Sequence, residues 1–132
     1  MSDEERVTRS VEVEAGTDDV WLAISDPERR ALWLDDDDAR ARRLRIDEVE
    51  AGRRLVWTWW PADDESGGTE GGAGASTVEV VLAPTVAGTR VTVTETAPIA
   101  PRATAGVRSG SRWGYRLLGL ELLFVAAGAL VG

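Results

Sequence analysis

The segment Arg53–Trp60, RRLVWTWW, places three tryptophans within four residues. That spacing constrains the fold more than any other feature of the chain. Aromatic and β-branched residues at this density favour a strand. Successive strand side chains point to opposite faces, so Leu55, Trp57 and Trp59 share one face and Val56, Thr58 and Trp60 the other. Two indoles on one face of a sheet either fill a core or wall a pocket. One Phe and one Tyr accompany six Trp, so tryptophan dominates the aromatic surface, which favours binding over catalysis.

Composition removes several functional classes. At 132 residues the chain is read as one domain, 1–132, able to bury about two-thirds of its unfolded surface. It has no Cys and no His. Disulfides, thiolate chemistry, a Ser-His-Asp triad and an ordinary zinc site are therefore excluded, and no metal or cofactor is expected. The net charge is −8, which opposes phosphate neutralisation, so neither nucleic acid nor an anionic membrane surface is an expected partner. All 15 basic residues are Arg, which excludes a lysine Schiff base or phosphate loop. The acidic, polar start MSDEERVT is not a signal peptide, so a cytoplasmic location is expected. Leu117–Gly132 is apolar but short for a span and carries Glu121; a buried helix is preferred to a tail anchor.

Periodicity orders the elements. Arg6–Glu14 alternates as a half-buried strand, with Val7, Arg9, Val11 and Val13 on one face. Thr17 is the expected cap of a short helix with Val20, Trp21 and Ile24 inward; Asp26 and Pro27 start a second, with Ala31, Leu32 and Trp33 as its buried side. Strands are expected over about 41–50, 53–60, 76–82 and 89–96, the last with Val91, Val93 and Glu95 on one face. The Gly-rich segment 62–75 reads as a flexible loop. A long last helix over about 111–129 carries Trp113, Leu117, Leu120 and Phe124 on one side, with Leu118, Leu122 and Val125 widening the stripe. The result is an α+β fold: an antiparallel sheet with a C-terminal helix over one face.

Order and motifs together resemble the START-like, helix-grip superfamily (polyketide cyclase/dehydrase-like, SRPBCC), most closely the branch of the activators of the heat-shock-protein-90 ATPase. VEVEAGTDDVWLAISDPERRALW at 11–33, RRLVWTWW at 53–60, GTRVTVTET at 88–96 and the Trp-then-Leu pattern from Trp113 carry the resemblance. It implies a curved antiparallel sheet of about 5–6 strands, two short helices after strand 1 and a long C-terminal helix. One departure stands out. A further hairpin that the family usually has after the second helix is replaced here by Asp35–Asp38 and a short Arg-rich stretch.

The resemblance further implies a cavity between sheet and last helix that binds a small apolar or amphipathic molecule. Here Trp57, Trp59, Val80, Val93, Trp113, Leu117 and Leu120 would line it, or else simply form the core. Arg9 and Glu95 fall on the apolar faces of neighbouring strands, either as a paired polar anchor at the cavity mouth or as strand ends reaching water. Asp35–Asp38 lacks calcium-loop spacing and reads as a solvated loop. Only Glu95, Arg9 and Tyr115 are acid/base candidates, and no spacing singles them out. Non-catalytic ligand binding is the first reading. A module binding a protein partner and a polyketide-cyclase-like enzyme are the alternatives. Volume separates the first two: an internal space above ~300 Å³ favours a ligand, a filled interior a protein partner.

Overall fold

Five stretches of alternating apolar residues pair into one sheet, and the computed structural model describes residues 4–62, 75–98 and 112–124. In chain order the elements are β1 (Glu4–Val13), α1 (Thr17–Ser25), α2 (Pro27–Trp33), α3 (Asp37–Arg40), β2 (Arg42–Glu50), β3 (Arg54–Pro61), β4 (Ser76–Pro84) and β5 (Thr89–Pro98). A last helix, α4, follows over 112–124. The strands run β1-β5-β4-β3-β2, all antiparallel. The three short helices carry the chain from one sheet edge to the other. This is the expected α+β helix-grip arrangement.

Register aligns the inward residues in rows across the strands. Val93, Val80 and Leu55 form one row; Glu95, Val78 and Trp57 form the next; Ser76 and Trp59 begin a third. These side chains pack with Val20 and Ile24 of α1, Trp33 of α2 and Trp113, Leu117 and Leu120 of α4 in one buried cluster. Burial of each such apolar side chain contributes about 1.5–3 kcal/mol. Two glycines are demanded by geometry. Gly52 has φ +77 in the β2–β3 turn. Gly88 lies so close to β1 that a Cβ there would sit 2.1 Å from the Val13 carbonyl oxygen.

Local details differ from expectation. Gly16, not Thr17, is the cap of α1, and Thr17 is its first residue. Asp26 and Pro27 open α2 as expected, but Ala31 and Leu32 face outward. Of the three only Trp33 is buried, its indole N–H donating to the Ala23 carbonyl of α1 at 2.9 Å. The aspartate run is not a plain solvated loop. Asp36 caps α3, its carboxylate accepting from the Ala39 N–H at 3.4 Å. Most of the 62–75 loop and the end of the last helix lie outside the described residues. Among the described residues no helix is long and apolar enough to cross a membrane.

Candidate functional site

Three indoles occupy the space between sheet and α4. Trp57 and Trp59 leave the same face of β3, and their rings meet edge to face, with centroids 5.8 Å apart and planes at 71°. Trp113, from the first turn of α4, stacks on Trp59 at 5.9 Å and 25° and lies 6.5 Å from Trp57. All three are buried. Such offset and edge-on pairs contribute about 0.5–1.5 kcal/mol each beyond their buried area.

Glu95 holds two of these rings. One carboxylate oxygen accepts from the Trp113 indole N–H at 2.8 Å. The other accepts from the Trp59 indole N–H at 2.9 Å and from the Ser76 hydroxyl. Trp59 N–H is shared with Ser76 Oγ, also at 2.9 Å. Both oxygens are thus engaged, and the carboxylate works as a clamp on the tryptophans. The indole N–H of Trp57 finds no acceptor.

The polar group that sequence reasoning missed is Arg116. It is 1% exposed, yet charged. Its guanidinium binds Asp36 through two parallel bonds, Nε to Oδ1 at 2.8 Å and Nη2 to Oδ2 at 2.9 Å. It also lies over the rings of Trp113 and Trp59, at 4.8 and 5.1 Å from their centroids. Burial by itself raises the Asp36 carboxyl, but the hydrogen bonds and charge of Arg116 and the Ala39 N–H outweigh it, so its pKa lies below the ordinary value. The signal was present: Arg116 falls three residues after Trp113, beside Leu117 and Leu120 on the apolar stripe.

Of the residues expected to line a cavity, the structure brings Trp57, Trp59, Val80, Val93, Trp113, Leu117 and Leu120 into one cluster. Glu95 is half-buried and bonded to Trp59 and Trp113 of this cluster, but Arg9 is not part of it. Arg9 sits opposite Val93 on the edge strand β1, is exposed, and donates to the Thr8 carbonyl at 2.9 Å. The expected Arg9–Glu95 pair does not form, because the tryptophan and serine donors engage Glu95 while β1, at the sheet edge, leaves Arg9 in water. Tyr115 points outward and is 63% exposed, so the three acid/base candidates do not converge. No group of three or more metal-ligating side chains exists among the described residues.

The family model of Activator of Hsp90 ATPase homolog 1-like proteins matches residues 34–117. Several solved structures share the fold. Protein MLL2253 of Mesorhizobium loti is 20% identical, with 90% of this chain and 96% of that chain covered and a TM-score of 0.72. The Aha1 dimer of Colwellia psychrerythraea is 13% identical, covering 91% and 96%, with a TM-score of 0.68. DynU16, a protein of the dynemicin biosynthetic locus, is 24% identical over 92% of this chain and 46% of that one, with a TM-score of 0.67. No curated protein matches the sequence.

Proposed function

Since the model match takes in more than half of its residues, the chain belongs to the Activator of Hsp90 ATPase homolog 1-like family, and from that premise we propose a non-catalytic protein-interaction module of regulator type. One observation carries this reading. Among the described residues the grip is filled by Trp57, Trp59, Trp113, Leu117 and Leu120, with Glu95 and Arg116 committed to holding them. A filled grip moves binding to the outer surface. There, Leu118 and Leu122 are 51% and 54% exposed on α4, beside Tyr115, and Leu32 is 62% exposed on α2. The two helices adjoin, since a side chain at Gly119 would lie 3.9 Å from Trp33. Exposed apolar residues gathered on neighbouring helices favour a protein partner. The family's name supplies the candidate, an Hsp90-type ATPase.

The test is the ATP turnover of the host's Hsp90-type chaperone with increasing amounts of this protein. Saturable acceleration is expected, and its loss in the Leu118→Glu/Leu122→Glu variant at unchanged thermal stability. Unchanged turnover together with no association in sedimentation ends this reading.

A second reading keeps a small apolar or amphipathic ligand within the grip, at Trp57, Trp59, Val80, Val93, Glu95, Trp113, Leu117 and Leu120. The buried N–H of Trp57, which has no acceptor, favours it, because a ligand oxygen there would complete its hydrogen bonding.

A further inference from the structure

A separate pocket of about 140 Å³ opens between α2, α3 and the inner face of β2 and β3. Among the described residues none of α4 lines it; Ala39 comes from α3, and Arg42 and Leu44 from the start of β2. The apolar part of the lining includes Leu34, Ala39, Leu44 and the buried indole of Trp59, and two guanidiniums, of Arg30 and Arg42, share the wall. Arg42 lies 5.3 Å from the Trp59 ring centre. Arg30 lies 5.9 Å from that of Trp57.

Arg30 is the unusual member. Its Nη1 donates to the carbonyls of Ile24 and Ser25, at 3.1 and 3.4 Å. Those bonds fix the guanidinium, while among the described residues its Nε and Nη2 have no acceptor and no carboxylate approaches it within ion-pair distance. Burial lowers its pKa, and the more distant Asp26 charge only partly opposes that. Asp26 itself pairs with Arg29 at 3.5 Å. An arginine stays charged at any physiological pH. A half-buried guanidinium with unused donors, on an apolar pocket, presents the fork that a carboxylate fits.

Volume restricts what can follow the carboxylate. The pocket is open on one side, and its volume is close to the ~150 Å³ that accepts a single benzene ring in an enclosed cavity. We infer that this pocket binds a small aromatic monocarboxylate of the benzoate class, its carboxylate on Arg30 and its ring against Trp59, Leu34 and Leu44. This site stands independently of a protein partner on the outer helices.

The experiment is calorimetric titration of the full chain with benzoate and with its neutral isostere benzamide, repeated on Arg30→Gln and Ala39→Leu, with circular dichroism checking each fold. Benzoate is expected to bind with Kd below about 1 mM and to change tryptophan emission. Benzamide should bind at least about tenfold more weakly, and Arg30→Gln should lose a similar factor for benzoate only, as expected for a charge-assisted bond. Ala39→Leu keeps the arginine but fills the pocket, and it should abolish both. Should Arg30→Gln not fold, Ala39→Leu and the benzoate-to-benzamide ratio decide. No saturable benzoate binding, equal affinity for the two compounds, or unchanged binding in Ala39→Leu overturns the inference.

Discussion

Arg116 and Asp36, 80 residues apart in sequence, meet in a two-pronged ion pair that ties α4 to the cap of α3. The arginine is buried among tryptophans, so removing Asp36 takes two charge-assisted bonds from a guanidinium held away from water. Asp36→Ala is expected to cost about 3–5 kcal/mol. The double variant Asp36→Ala/Arg116→Met should recover a substantial part, because the buried charge is gone with the bonds that held it. Urea denaturation of both variants checks this; a double variant no better than the single would show that the pair is not the source of the loss.

The same pair makes stability depend on acid. The Asp36 pKa is lowered on folding, so its contribution is fully present above the unfolded carboxyl value of about 3.9 and is lost as pH falls through the lower folded value. Asp47, hydrogen-bonded to Thr58 and Arg45, acts in the same direction. Thermal melting between pH 7 and pH 2 should show a stability decline concentrated below about pH 4, and Asp36→Asn should flatten it.

Glu95 is expected to be structural. Glu95→Gln leaves one acceptor oxygen for three donors and sets an amide N–H₂ among them. A loss of about 2 kcal/mol is expected, with altered tryptophan emission from Trp59 and Trp113. Retained stability and emission would show that the carboxylate does not hold the rings.

Gly88→Ala tests the close approach of the β4–β5 turn to the end of β1. The added methyl would collide with backbone atoms of Val13 and Ala15, and backbone cannot swing aside as a side chain can. An overpacking cost of about 3 kcal/mol is expected in chemical denaturation. A neutral result would mean the turn shifts freely.

Much of this architecture was legible in the chain. The alternation around Val11, Val80 and Val93 and the indole spacing of Trp57 and Trp59 carry a period of two that only a strand satisfies. The Trp113, Leu117 and Leu120 spacing likewise carries the helix. What was not legible depends on contacts across the sequence. Asp36 looked like one solvated aspartate among four, because nothing local announces a guanidinium 80 residues away. Arg9 and Glu95 have the same inward pattern, yet one stands on an edge strand and the other beside three donors. Leu32 lay in an apolar triplet, but the indole of Trp33 and the guanidinium of Arg30 make the α1–α2 contact and leave Leu32 outside. The Arg30 pocket is formed by α2, α3, β2 and β3, whose approach no local pattern encodes.

In the proposed reading tryptophan fills the grip, so that binding takes place outside it. Fluorescence titration with uncharged sterols and polycyclic aromatic compounds, all too large for the Arg30 pocket, tests it directly. Trp57, Trp59 and Trp113 report any entry between sheet and α4. No saturable change is expected up to about 100 μM ligand, while Trp59→Ala, which should destabilise by about 3–5 kcal/mol, opens a space and gains such binding. Saturable binding to the wild type below that concentration, with a spectral shift that Trp59→Ala removes, would contradict the claim and restore the grip as the ligand site.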